Sequence, residues 1–146
     1  MKIVVTGGCG FIGSSFVNYL RKRKGIQPDD ILVVDKLTYA SDRNLIESSI
    51  PILIKDICDV TVEDLGEYDY LVNFAAESHV DNSISDGKPF VNTNVIGTFN
   101  LLEVARKNSK FKSPGMLKRH YSPGIPVLLN QKTFNTKHAF ITFGKK

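Results

Sequence analysis

The sequence predicts an α/β fold: a doubly wound parallel sheet, truncated after its fourth strand–helix unit. Three observations carry the prediction. Four short apolar runs, beginning at Ile3, Ile31, Ile52 and Tyr70, alternate with segments of helical period, and strands so separated need crossovers that leave them parallel. Between the first run and the first helical segment stand Gly7, Gly10 and Gly13, three residues apart. The second run ends in an acid, Asp35, at the carboxyl edge where a parallel sheet meets its ligand.

The first strand, Ile3-Val4-Val5, runs into Thr6-Gly7-Gly8-Cys9-Gly10-Phe11-Ile12-Gly13. Glycine lets the main chain turn with φ above zero and approach a ligand with no Cβ in the way. The start of the next helix adds free N–H groups and the positive end of a dipole, so the loop reads as a diphosphate site. Gly7 is assigned to the tight turn, Gly10 to closest approach to the pyrophosphate, and Gly13 to packing of helix on strand. The helix is expected over Phe11 to Lys24, with Phe11, Ile12, Ser15, Phe16, Tyr19 and Leu20 at spacings of three and four. Its basic end, Arg21 to Lys24, suits the negative pole of the dipole, and Gly25 is a natural stop.

Pro28-Asp29-Asp30 turns the chain into the second strand, Ile31 to Val34, which delivers Asp35. A carboxylate there accepts hydrogen bonds from ribose hydroxyls and repels a 2′-phosphate, which favours NAD over NADP; Lys36 next door offsets part of that repulsion, and a plain loop cap is the alternative. A loop, Lys36-Leu37-Thr38-Tyr39-Ala40, precedes a short helix expected from Ser41 or Asp42 to Glu47. The third strand, Ile52-Leu53-Ile54, delivers Lys55-Asp56-Ile57. Asp56 either accepts from an adenine amino group or caps a helix over Val60 to Leu65, and both readings stay open. The fourth strand, Tyr70 to Phe74, empties into Ala75-Ala76-Glu77-Ser78-His79-Val80-Asp81, where two alanines leave room for a flat cofactor. A long helix follows from Pro89 to Lys107, with apolar Val91, Val95, Phe99, Leu102 and Val104. Asn92, Thr93, Asn94 and Thr98 give it polar groups to face the site or bridge to a neighbouring strand.

At 146 residues, 42% of them hydrophobic, the chain has the length of one domain and the apolar content to bury a core. No apolar run approaches the roughly 18 residues of a membrane span. Met1 to Thr6 enters the first strand without the features of a signal peptide, so a cytoplasmic protein is expected. Cys9 and Cys58 have neither metal-ligand spacing nor the pattern of a disulfide framework. The net charge of +4 arises at the end of the chain: all 15 acids lie at or before Glu103, whereas residues 109–146 hold eight Lys and Arg. The basic pI therefore implies no nucleic-acid partner, and Arg21 to Lys24 reads as a solvated helix end.

Four stretches carry a family resemblance: Thr6 to Gly13, Val34 to Ala40, Phe74 to Asp81, and Asn92 to Thr98. Through them residues 1–108 resemble the NAD-binding half of the extended short-chain dehydrogenases, the NAD-dependent epimerase/dehydratase family, and within it the dTDP-glucose 4,6-dehydratase branch. The resemblance implies a Rossmann-like sheet. It implies NAD contacts from Gly7, Gly10, Phe11, Ile12 and Gly13, from Asp35, Lys36, Leu37 and Thr38, from Asp56 and Ile57, from Ala75 and Ala76, and from Thr93. Ser78 and His79 would lie near the sugar end of a nucleotide-sugar substrate. The family's lyase reaction oxidises the sugar at C4, removes water across C5 and C6, and returns the hydride to C6. Its base is the Tyr of a Tyr-x-x-x-Lys pair, and an Asp-Glu pair serves the elimination.

Neither catalytic pattern occurs in this sequence. The residues four places after the tyrosines are Arg23, Arg43, Val72, Phe74 and Ile125, and no acid follows Glu103. The chain is expected to leave the family pattern near Asn108, as a frameshift or truncation of the coding sequence would cause. Residues 109–146 then form a basic tail, broken at Ser113-Pro114-Gly115 and Ser122-Pro123-Gly124, with short strands expected over Ile125 to Leu129 and Ala139 to Phe143. The expected function is an NAD-binding fragment without turnover of its own; the other reading is a non-catalytic dinucleotide-binding module with a basic interaction tail. Half a sheet leaves an open edge, which predicts a homodimer or aggregation.

Overall fold

In the computed structural model, which describes residues 1–108 apart from the Asn82 and Ser83 side chains, the four apolar runs form one parallel sheet. Its strands are β1 (Ile3–Thr6), β2 (Ile31–Asp35), β3 (Ile52–Ile54) and β4 (Tyr70–Asn73), in the spatial order β3-β2-β1-β4. The expectations for residues 109–146 lie outside the described residues. Thr6 stands beside Val34 and Asn73, and Asp35 beside Ile54, so the carboxyl ends of all four strands meet at one edge.

Alternation along the strands divides the core in two. Ile3, Val5, Ile31 and Val33 join Cys9, Val17, Leu20, Ile46 and Ile50 on one face. Val4 and Val34 join Ile57, Val60, Leu65, Tyr68, Leu101 and Val104 on the other. Because β1 is buried on both faces, its sequence is a continuous apolar run rather than an alternating one.

The helices differ from expectation at their ends. Helix α1 (Phe11–Arg21) stops three residues before Lys24, where the Lys22 and Arg23 N–H groups bond back to Tyr19 and Leu20 and tighten the last turn. Its buried face is also rotated from the expected one: Gly13, Ser14, Val17 and Leu20 are buried, while Phe11 and Ile12 are 85% and 66% exposed. The cause is the closeness of the first turn of the helix to the glycine loop, which admits Gly13 and Ser14 there and turns Phe11 and Ile12 outward, while Val17 and Leu20 fill the core further along. A Cβ on Gly13 would lie 2.0 Å from the Gly7 carbonyl oxygen.

The helix expected near Asp42 is a single 3-10 turn, Arg43–Leu45. Asp42 caps Asn44, and the Arg43 guanidinium donates to the carbonyls of Ile46, Glu47, Ser48 and Ile50, bonds that fold this segment back as a loop. Helix α2 (Val62–Leu65) begins two residues later than expected, set by a capping box between Thr61 and Asp64. An unanticipated helix, α3 (Val80–Ser85), follows β4. The long helix is α4 (Lys88–Phe90), a π-helical stretch (Val91–Gly97) and α5 (Thr98–Lys107), with helical backbone at each joint. Among the described residues no helix is long and apolar enough to cross a membrane.

Candidate functional site

The carboxyl edge of the sheet opens into a groove whose floor is the glycine turn. Gly7 sits at φ +66°, and its N–H donates to the Val34 carbonyl at 2.8 Å. A Cβ there would stand 2.5 Å from the Ala75 nitrogen, so glycine is needed both for conformation and for the close approach of the β4 exit. At Gly10 a Cβ would meet only the Gly7 oxygen, at 3.4 Å, which leaves the position open on the groove side. No side chain caps α1, and the Phe11 and Ile12 N–H groups have no acceptor among the described residues. These are the free donors and dipole end that an anion requires.

Asp35 is buried at the tip of β2. Its Oδ2 accepts from the Cys9 N–H at 2.9 Å, and its Oδ1 accepts from the Leu37 N–H and the Ser41 hydroxyl, each at 2.8 Å. Three of about four lone-pair sites are thereby used, and the remaining one is on Oδ2. Asp35 thus caps the glycine loop and retains one acceptor for a ligand hydroxyl. The same burial, with the Asp35 charge beside it, pushes the Cys9 thiol up to about 11 and keeps it protonated.

Asp56 does not cap α2; Thr61 does. Its Oδ1 accepts from the Cys58 N–H at 2.9 Å and its Oδ2 from Lys36 Nζ at 2.6 Å. Burial works to raise this carboxyl, but the bonds from Cys58 and Lys36 outweigh it and hold it below its ordinary value. Lys55, one residue before Asp56, pairs with Asp64 at 2.6 Å.

Three asparagines hold the walls. Asn73 accepts from the Thr6 hydroxyl and the Ala75 N–H and donates to the Thr98 hydroxyl, tying β1, the β4 exit and α5 together. Asn94 accepts from the Glu77 N–H at 2.8 Å and donates to the Glu77 carbonyl at 2.9 Å, a two-bond clamp on the loop after β4. Asn100 donates to the carbonyls of Ile57 and Val60, each at 2.8 Å, fixing the turn after β3.

Of the residues expected at a cofactor, Gly7, Gly10, Asp35, Lys36, Thr38, Asp56, Ile57, Ala75, Ala76 and Thr93 line this groove. Gly13 is buried under the glycine turn, and Phe11 and Ile12 project outward from the first turn of α1. Leu37 takes a left-handed conformation, φ 55°, that serves its bond to Asp35. Ser78 and His79 lie exposed on the loop after β4 and do not line the groove, although the His79 ring stands edge-on to Tyr39 at 6.1 Å. Sequence reasoning missed Val34, Ala40, Ser41, Lys55, Phe74 and Glu77 among the lining residues. It also missed the cross-ties of Asn73 and Asn100.

Residues 3–137 match the NAD dependent epimerase/dehydratase family. The chain belongs to that family. It is 44% identical over 114 residues to the dTDP-glucose 4,6-dehydratase of Mycobacterium tuberculosis, a match covering 74% of this chain and 34% of the relative. Low-salt glycan biosynthesis protein Agl12 of Haloferax volcanii is 46% identical over 112 residues, covering 72% of this chain and 35% of that protein. Among solved structures, the dTDP-glucose 4,6-dehydratase DesIV of Streptomyces venezuelae, with NAD and TYD bound, superposes with a TM-score of 0.65 at 40% identity, covering 72% of this chain and 35% of that one. The chain thus spans about a third of the length of the family members it matches. The doubly wound fold expected from the alternating runs, Rossmann-like as the resemblance implies, is the fold of these relatives.

Proposed function

We propose that residues 1–108 bind NAD through its adenosine diphosphate half, and that the chain supplies the cofactor-binding part of a dTDP-glucose 4,6-dehydratase. One observation carries the reading: the open glycine turn, with free N–H groups at Phe11 and Ile12, shares a groove with a buried carboxylate that retains an acceptor. The groups present fit the cofactor. The N–H groups and dipole of α1 hold the diphosphate, and Gly10 lets it reach the main chain. Asp35 Oδ2 takes a ribose hydroxyl. Ile57 and Asp56 receive the adenine side, while Ala75, Ala76 and Thr93 form the wall leading toward Ser78 and His79 and a nucleotide-sugar substrate. Leu37, Ile12 and Gly13 act through the backbone and packing that shape the loop.

Bound NAD supplies a hydride acceptor for the sugar. This chain's own residues bind and orient; it lacks the family's Tyr-x-x-x-Lys pair and has no acid after Glu103 for the Asp-Glu pair, so no turnover is proposed for the chain alone. Within this reading residues 1–108 are the cofactor unit and 109–146 a separate basic tail, in a protein whose two free thiols suit the cytoplasm. The β4 edge and the exposed Val91, Val95, Phe99 and Leu102 make self-association part of the proposal.

Titration calorimetry of the folded chain with NAD+ and with ADP-ribose tests the cofactor reading, and both are expected to bind. Absence of heat with both overturns it. Conversion of dTDP-glucose to a 4-keto sugar by the chain alone would refute the claim of no turnover, and a stable monomer on size exclusion would refute self-association.

A further inference from the structure

We infer that Asp56 is a cofactor-selectivity residue: by holding Lys36 in an ion pair at the tip of β3, it withholds a positive charge from the place where a 2′-phosphate on the adenosine ribose would sit. The inference rests on the reading of the groove as an NAD site, and it concerns the charges around Asp35.

Among the described residues two cations line the groove, Lys36 and Lys55, and each is matched to a carboxylate. Lys36 Nζ lies 2.6 Å from Asp56 Oδ2, and Lys55 Nζ lies 2.6 Å from Asp64 Oδ2. Asp35 has hydrogen-bond donors around it but no ion pair among the described residues. Among the described residues, a phosphate at the ribose 2′ position would therefore meet an unmatched carboxylate and no lysine of the groove free of a carboxylate partner. Lys36 is the group best placed to change that, because it follows Asp35 directly in the chain and lines the same groove.

The pair is directional rather than strong. The Lys36 side chain is 60% exposed, and an exposed ion pair contributes little to stability. Its consequence is where the charge is held. Asp56 is a fixed anchor, since its other oxygen accepts from the Cys58 N–H at 2.9 Å and cannot swing away without losing that bond. The contact also makes Lys36 hold its proton more tightly than usual, so the ammonium stays charged and stays with Asp56. Selectivity for the unphosphorylated ribose then has two parts: the Asp35 carboxylate repels, and Asp56 removes the compensating lysine.

Asp56→Asn keeps an acceptor for the Cys58 N–H and deletes the countercharge, which frees Lys36 to swing back along β2. Calorimetric titration of the full chain with NAD+ and NADP+ gives the ratio of the two dissociation constants. In the wild type the ratio favours NAD+. In D56N the ratio is expected to move about threefold toward NADP+, the size of one new charge contact near the surface, while any change at the adenine side is common to both dinucleotides and cancels in the ratio. Raising the salt concentration should erase that gain. Adding K36M to D56N should restore the wild-type ratio. Asp56→Ser makes the same release should D56N not fold, as judged by its circular dichroism melt. If wild type and variant both bind NAD+ and the ratio does not move, or if it moves equally without Lys36, the inference is overturned while the site reading stands. If the wild type binds neither dinucleotide, the site reading falls and takes the inference with it.

Discussion

Two glycines three residues apart, Gly10 and Gly13, are expected to fail in opposite ways when replaced by alanine. At Gly13 the added Cβ would lie 2.0 Å from the Gly7 oxygen, 2.8 Å from the Gly7 carbonyl carbon and 2.9 Å from the Gly8 Cα. All three are backbone atoms of the turn joining β1 to α1, so no side chain can give way. Relief requires lifting α1 by roughly an ångström from a core that includes Val17 and Leu20, and overpacking of this kind costs about 3 kcal/mol. For a unit of this size the melting temperature should fall by about 10 °C or more. At Gly10 the backbone is extended, φ −77° and ψ 173°, and a Cβ meets only the Gly7 oxygen at an ordinary 3.4 Å. The loss of chain entropy in the unfolded state and the slightly poorer helix cap nearly cancel, so G10A should melt within about 1 kcal/mol of wild type. Its methyl group, however, occupies the open side where the diphosphate must reach the main chain, and NAD+ affinity should fall at least about tenfold, or about 1.4 kcal/mol. Circular dichroism melts and calorimetric titration on the same preparations separate the two effects. A G10A protein that binds NAD+ like wild type would refute the assignment of Gly10 to the ligand, and a G13A protein that melts like wild type would refute the packing argument.

Asn73→Ala removes the acceptor of the buried Thr6 hydroxyl and of the Ala75 N–H, and should cost about 2 kcal/mol in urea unfolding; Thr6→Val in the same background should recover part of that. The Asp64 carboxyl is held below its ordinary 3.8 by Lys55 and the Thr61 N–H, and Asp56 is likewise depressed. Their stabilisation is complete above the ordinary carboxylate range and lost as pH falls through the lower folded values, so unfolding followed by circular dichroism should set in below about pH 4, and D64N should flatten that dependence. Cys9 is fully buried with its thiol at about 11, whereas Cys58 is partly exposed. Iodoacetamide at pH 8 should therefore label Cys58 first and Cys9 only on unfolding; equal rates in the native protein would contradict the burial of the glycine loop.

The strands were readable because their burial leaves a local trace. β1 and β2 are covered on both faces, and such strands must be apolar at nearly every position, as Ile3-Val4-Val5 and Ile31 to Val34 are. The helix ends and faces were less readable because contacts distant in sequence decide them. Phe11, Ile12 and Tyr19 satisfy a helical apolar period, yet they stay exposed because the Gly13 contact with Gly7 sets which face of α1 packs. Around Asp42, helical propensity loses to Arg43, whose guanidinium collects four carbonyls and fixes a loop that residue spacing does not announce.

The same division runs through the site. Groups that line the groove sit at strand tips and on a glycine turn, so Gly7, Gly10, Asp35, Asp56 and Ala75 can be placed from position and chemistry alone. Groups that hold those groups in place are paired across long stretches of chain. Asn73 reaches Thr6 across 67 positions, Asn100 reaches Ile57 across 43, and Asn94 reaches Glu77 across 17. An asparagine amide offers both a donor and an acceptor, which lets one side chain satisfy a main-chain N–H and a carbonyl together, as Asn94 does at Glu77. Of the polar residues that look misplaced in the long helix, Asn94 and Thr98 are thus cross-ties to the β4 exit, and Asn100 adds one to the turn after β3. That arrangement gives Asn94 and Asn100 a role independent of any contact with ligand. Loss of either should loosen the groove walls before it unfolds the sheet, since β1 to β4 keep every ladder bond and both core clusters.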